Sequence, residues 1–221
     1  MTKRITRVAA LLIVLQVCIV LTAVAAAAEP AKVACIGDSI TFGAGIRDRA
    51  ANNYPVQLGG MLGDKWETKN FGVSGATMLK KGNKPYWKER AWQAALDYKP
   101  DVVIIKLGTN DTKPGNWQHK SEFAADYKAM IEQLSGLESK PRIWVCLPVP
   151  AYGERWGIRE QVVRDEVVPI VRQVAKETGV KIIDLFTPLS DKPELFPDRI
   201  HPNAAGAKLM AEEICRALTG K

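Results

Sequence analysis

The chain has 221 residues, 47% hydrophobic and 25% charged, with 31 Lys and Arg against 24 Asp and Glu for a formal charge of +7. That length holds one α/β domain with a full core and is short for two. No basic run interleaved with aromatics points to nucleic acid, and no Cys-x-x-Cys or Cys/His cluster offers a metal site.

Residues 1–28 are a different kind of sequence. Lys3, Arg4 and Arg7 lead into an apolar run from Val8 that ends in Ala25-Ala26-Ala27-Ala28 before Glu29. This is the pattern of a secretory signal peptide cleaved near Ala28, which places the mature domain at 29–221 in the periplasm or outside the cell. An uncleaved anchor is the alternative, since about 20 apolar residues can span a bilayer. Lipid attachment at Cys18 is weaker, because bulky Val17 precedes it. Without the leader, 28 basic residues face 24 acidic ones, a net of +4. Cys35, Cys146 and Cys215 read as small buried apolar residues, with a disulfide between two of them left open.

The mature chain alternates strands and helices. Lys32 to Ile36 predicts a first strand, Asp48 to Asn53 a loop, and Tyr54 to Leu62 a helix. A weaker strand over Glu67 to Phe71 ends in the glycine-marked turn Gly72 to Thr77. Helical spacing over Trp87 to Tyr98 stops at Lys99-Pro100, and the strongest strand, Asp101 to Leu107, is cut off by Gly108-Thr109-Asn110-Asp111. A helix over Ser121 to Leu134, with Ser121 as N-cap, precedes a strand over Arg142 to Leu147. Pro148 to Gly157 reads as a long loop and Ile158 to Thr178 as a helix kinked or broken at Pro169. Val180 to Asp184 is the last strand and Asn203 to Leu218 the terminal helix. Five strands alternating with helices imply a single-domain α/β fold with a parallel sheet and right-handed crossovers.

The chemistry starts at Gly37-Asp38-Ser39, where a buried strand delivers a serine to the sheet's carboxyl edge, the edge at which open α/β sheets bind ligands. Serine is a poor nucleophile at neutral pH unless a base takes its proton, and the chain holds two histidines, His119 and His201. His201 follows Asp198 by three residues, a spacing that places base and carboxylate on one short turn. Taken alone, Ser39 reads as a helix cap, Asn110 and Asp111 as a turn, Gly75 as a turn glycine and His201 as a residue leading into a helix. All of them falling together at converging strand ends is improbable under those readings. Gly72-Val73-Ser74-Gly75-Ala76 nearly spells a nucleophile elbow, but its last position is Ala76, so Ser74 is taken as structural. His119 reads as a surface residue ahead of a helix. Asp38 and Asp184 are rival acids without a histidine at short range.

Four motifs, Gly37-Asp38-Ser39-Ile40, Asn70-Phe71-Gly72-Val73-Ser74-Gly75, Gly108-Thr109-Asn110-Asp111 and Asp198-Arg199-Ile200-His201, make the chain resemble the SGNH hydrolase superfamily, or GDSL esterases. The resemblance implies a three-layer α/β/α sandwich with a flavodoxin-like, doubly wound, five-stranded parallel sheet. It also implies that Ser39 is the nucleophile, His201 its base and Asp198 the orienting carboxylate. Ser39 and Gly75 N–H groups with the Asn110 amide would form the oxyanion hole. No cofactor or metal is called for by this chemistry.

Within that superfamily, the stretches from Tyr54 to Leu58, Asn70 to Gly82, Lys84 to Trp87 and Gly108 to Pro114 look like the carbohydrate O-acetylesterase branch. The substrate expected is an acetylated polysaccharide or sialic-acid-type glycan, with no nucleic-acid or membrane partner for the mature chain. Tyr86, Trp87, Trp117, Tyr152 and Trp156 all follow strand ends and are candidate sugar-binding aromatics. Two of them, Trp156 and Trp117 first, are expected to be exposed near Ser39. The alternatives are a lysophospholipase or thioesterase-type acyl hydrolase of the same fold, and a catalytically silent glycan-binding domain. A nucleotide site is disfavoured because Gly43-Ala44-Gly45-Ile46 lacks the third glycine of a dinucleotide loop.

Overall fold

A computed structural model describes residues 29–220. The leader expected over residues 1–28 lies outside the described residues. The chain enters strand β1 (Ala31–Gly37), then the short helices α1 (Ser39–Phe42) and α2 (Arg49–Asn52), helix α3 (Tyr54–Leu62) and strand β2 (Trp66–Gly72). Helix α4 (Arg90–Asp97), strand β3 (Val102–Lys106), the single turn α5 (Pro114–Trp117), helix α6 (Lys120–Ser135) and strand β4 (Arg142–Leu147) follow. A two-stranded ribbon, β5 (Glu154–Arg155) and β6 (Ile158–Arg159), precedes α7 (Glu160–Val162) and α8 (Val168–Thr178), then β7 (Lys181–Asp184) and α9 (Ala204–Thr219).

The main sheet has the order β2-β1-β3-β4-β7, parallel throughout. Its central strands are apolar on both faces because both faces are covered, as parallel crossovers require. Period-two alternation sorts their side chains into two cores. Ala34, Ile36, Val103, Ile105, Val145 and Leu147 pack with Trp92, Met130 and Val171 from α4, α6 and α8. Val33, Cys35, Val102, Ile104, Trp144 and Cys146 pack with Leu58 of α3 and Met210 and Ile214 of α9. The result is the three-layer, doubly wound sandwich. The Cys35, Cys146 and Cys215 thiols are free, the first two buried.

Several segments depart from the sequence reading. The loop expected over Asp48 to Asn53 contains α2. Ser121 does not cap α6, which starts one residue earlier with His119 at the cap position and no side-chain bond there. The single helix expected from Ile158 is three pieces: Ile158 and Arg159 join the ribbon, and a π-helical turn, Val163–Val167, separates α7 from α8. Pro169 sits in the first turn of α8. Having no N–H to donate back, it is accommodated where the ladder has already widened.

What positions the site is the level ending of three strands. Gly37 is in register with Gly72 of β2 on one side and Lys106 of β3 on the other. The chain reverses direction across the sheet at β1, so the segments leaving β2, β1 and β3 open on one crevice. Glycine is needed where α1 folds back over these ends: a Cβ on Gly72 would lie 2.2 Å from the Phe42 backbone nitrogen. Since main chain cannot move aside as a side chain can, Gly72→Ala is expected to destabilise the fold by at least about 2 kcal/mol, read as a lower urea midpoint at unchanged slope.

Candidate active site

Ser39 opens α1, whose N-cap is Asp38: the Asp38 carboxylate accepts from the Ile40 N–H at 2.9 Å. Such a cap normally faces water, but Asp38 is fully buried and its remaining valence is met by Lys106 Nζ at 3.1 and 3.2 Å. The ammonium also donates to Thr109 Oγ1 at 2.8 Å. Burial pulls the Lys106 ammonium below its ordinary pKa, and the Asp38 carboxylate opposes that shift. The pair thus locks the end of β1 to the end of β3 directly beneath the serine, which is itself only 8% exposed.

The histidine comes from the turn before α9. Asp198 accepts from the Ile200 and His201 N–H groups at 2.9 and 2.7 Å, with Arg199 in the left-handed region at φ 72° between them. The same carboxylate lies 2.8 Å from His201 Nδ1, and His201 Nε2 lies 2.8 Å from Ser39 Oγ. An Nδ1–H donated to Asp198 leaves Nε2 as an acceptor for the serine hydroxyl. Burial pushes the Asp198 carboxyl up, but the bonds from His201 and Ile200 outweigh it and hold it below the usual carboxylate range. Asp198 is therefore ionised at neutral pH. Asn203, whose side chain accepts from the Gly206 N–H at 3.0 Å, then caps α9 and fixes where the histidine sits.

Gly75, after β2, has φ 84°, a conformation glycine adopts without strain. Among the described residues, neither its N–H nor that of Ser39 donates to a protein acceptor. Asn110 Nδ2 donates to the Ala76 carbonyl at 3.1 Å, which leaves its second amide hydrogen. Ser39, Gly75, Asn110 and His201 line one open cleft of about 260 Å³. Asp111 holds the two donor loops together, accepting from the Met78 and Leu79 N–H groups at 3.0 and 2.8 Å. Burial raises its carboxyl to about 7, against the lowering effect of those two bonds.

Of the five aromatics, the structure brings only Trp156 to the cleft. Trp156 is 55% exposed, with its ring 5.5 Å from the His201 ring. It sits at the tip of the β5–β6 ribbon, where Trp156 and Gly157 have φ 52° and 78°, the positive pair a tight hairpin turn uses. Trp117, expected to be exposed, is buried instead: its indole donates to Glu166 at 3.0 Å and its ring packs edge-on against Phe123. Tyr86 is fully buried and donates to the Phe71 carbonyl at 2.6 Å. Trp87 is half-buried, donating to the Met78 carbonyl at 2.9 Å, and Tyr152 donates to the Leu189 carbonyl with its ring on Phe196. In each case a polar atom on the ring finds an internal acceptor, which favours burial over display.

Ser74, read as structural, is exposed and lines the cleft, whereas His119 does not. Asp184 is committed to Phe186, Thr187 and Arg172 and does not reach His201. Sequence reasoning missed Lys106 and also Lys113, which lines the cleft. A lysine inside the wholly apolar run Val102–Leu107 was the available signal, since a buried ammonium requires a carboxylate. Lys113 carried no such signal. Among the described residues no group of three or more His, Cys, Asp or Glu could hold a metal ion.

The sequence profile of the GDSL-like lipase/acylhydrolase family matches residues 35–209, which contain the serine, the histidine and every strand end described above. The chain belongs to the GDSL-like lipase/acylhydrolase family. Its relatives include an acetylxylan esterase of Xylanibacter ruminicola, 48% identical over 85% of this chain but only 43% of that protein. The chain thus spans about two fifths of that relative's length. An acetylxylan esterase of Geobacillus stearothermophilus is 28% identical over 85% of this chain and 93% of its own. Among solved structures, Est24, a carbohydrate acetylesterase from Sinorhizobium meliloti, has the same fold with a TM-score of 0.69 at 20% identity, covering 86% of this chain and 99% of its own.

The buried groups under this family's serine make two measurable demands. Lys106→Met strands the Asp38 charge and is expected to cost about 3–5 kcal/mol of stability, most of it recovered when Asp38→Asn is added, as read by urea denaturation. Asp111 binds more protons folded than unfolded between its ordinary 3.8 and about 7, so its contribution to stability falls as pH rises through that window. Stability measured from pH 4 to 8 should therefore fall less steeply with rising pH in Asp111→Asn than in the wild type.

Proposed function

We propose that the chain is a serine esterase that removes O-acetyl groups from carbohydrate. The observation that carries this reading is the 2.8 Å relay from Asp198 through His201 to Ser39, opening on a cleft with three N–H donors. His201 Nε2 takes the Ser39 proton as Oγ attacks the ester carbonyl. The oxygen that becomes negative is held by the Ser39 and Gly75 N–H groups and the Asn110 amide. His201, now a cation steadied by ionised Asp198, returns the proton to the departing sugar hydroxyl. Water then repeats the cycle on the acetyl-serine, releasing acetate.

Acetate as the acyl group is supported by the shallow cleft, in which Ala44 and Ile158 supply small apolar surfaces. Carbohydrate as the alcohol is supported by exposed Trp156, a flat face for a sugar ring, and by the names of the two acetylxylan esterase relatives. Export is supported by the composition of residues 1–28 alone. Among the described residues no helix is long and apolar enough to cross a membrane.

Acetate release from acetylated xylan and hydrolysis of p-nitrophenyl acetate against p-nitrophenyl octanoate test the reading. Ser39→Ala is expected to lower kcat by on the order of 10⁴ or more, and Asn110→Ala by about 100-fold with KM little changed. Octanoate turned over much faster than acetate would overturn the acetate assignment in favour of a lipid-type acyl hydrolase.

A further inference from the structure

We infer that the cleft takes acetylated carbohydrates bearing a carboxylate, with an acidic sugar unit beside the acetylated one. This rests on the carbohydrate acetylesterase reading above and narrows it. The first observation is charge: among the described residues no carboxylate lines the cleft, whereas Lys113 does. Lys113 follows the short turn Asn110–Thr112, is half-buried, and its stem runs along the hairpin tip, with Cγ 3.6 Å from where a Gly157 Cβ would stand. Its ammonium takes part in no ion pair or side-chain hydrogen bond among the described residues.

Two further cations at the rim have no carboxylate partner among the described residues. The Arg155 guanidinium lies 4.6 Å from the Trp156 ring centroid without a carboxylate partner. On the opposite lip, Lys84 Nζ donates at 2.9 Å to the carbonyl of Ser74, a neutral acceptor. Glu154, the exposed carboxylate on the hairpin, stands opposite Arg159 in the ribbon register, and the Arg159 guanidinium donates to the Thr112 carbonyl at 2.7 Å.

A neutral sugar seated against Trp156 would strip water from Lys113 and return nothing of equal strength. A carboxylate placed there makes a charge-assisted bond to the ammonium while the ring of its sugar stacks on the indole. Arg155 behind the indole and Lys84 across the cleft add attraction that salt screens. The three cations therefore act on binding of the acid-bearing unit, apart from the bond-making at Ser39.

The test is acetate release from a matched pair of probes. One is O-acetylated xylo-oligosaccharide carrying a uronic acid branch; the other is the same material with the carboxyl reduced to the alcohol and acetylation brought to the same degree. The wild type is expected to prefer the acid by about five- to tenfold in kcat/KM at low salt, through KM, and to lose most of that preference at roughly 0.5 M NaCl. Lys113→Met should bring the ratio close to 1, Lys113→Arg should keep it, and Arg155→Gln, on the exposed ribbon, should lower it in part. Equal kcat/KM on the two probes in the wild type, or an undiminished preference in both Lys113→Met and Arg155→Gln, overturns the inference and leaves the acetylesterase reading standing. Turnover of p-nitrophenyl acetate with no acetate from either glycan overturns the carbohydrate reading, and the inference falls with it.

Discussion

Gly72, Gly37 and Lys106 lie side by side at the ends of three parallel strands, and the placement of Ser39, Gly75 and Asn110 at one crevice follows from that register. A slip of one residue along β1 would exchange its two faces, sending Val33 and Cys35 to the core built for Ala34 and Ile36. Both cores resist such a slip, so the hydrophobic alternation of a strand also sets the height of the serine. The two-sided burial that makes β1 rigid is what allows a site assembled from separate loops to hold hydrogen-bond distances.

Three aspartates near the crevice show how environment separates roles within one residue type. Asp38 is wholly buried and spent on Lys106 and a helix cap, so it shapes the backbone at Ser39 without touching a substrate. Asp111 is also buried and spent on two backbone N–H groups, which joins the loop after β2 to the loop after β3. Asp198 is partly exposed and spent on a histidine turn, where bonds hold it ionised against the effect of its burial. One Asp198 oxygen takes the two backbone N–H groups of its own turn, and the other faces the His201 ring at 2.8 Å.

The β5–β6 ribbon connects this chemistry to the surface. Arg159 donates through Nε to the Thr112 carbonyl at 2.7 Å, and Tyr152 N–H donates to the Arg199 carbonyl at 2.9 Å. The ribbon is thus tied to the turn that bears Asn110 and to the turn that bears His201. A bulky aromatic at positive φ is an uncommon arrangement, and here it presents the indole over the histidine ring. Exposure of a large apolar ring is unfavourable to the free protein, and a ligand covering the ring relieves it.

The five strands, their order of appearance and the polar clusters that end them are legible in the amino-acid sequence, because buried parallel strands are short apolar runs and glycine and asparagine punctuate them. Ser39, Asp198 and His201 could be singled out on the same basis, since serine without a base is inert and a carboxylate three residues from a histidine can share its turn. The ribbon over Glu154 to Arg159, the π turn ahead of Pro169 and the burial of Trp117 and Tyr86 were decided only by tertiary structure. Two-residue strands carry too little periodicity to be seen, and whether an indole or phenol is displayed or buried depends on an acceptor supplied by a distant element. The Asp38–Lys106 pair lies between these cases: the lysine in an apolar strand announces that a counter-charge exists, but only the packed sheet selects the carboxylate beside Ser39.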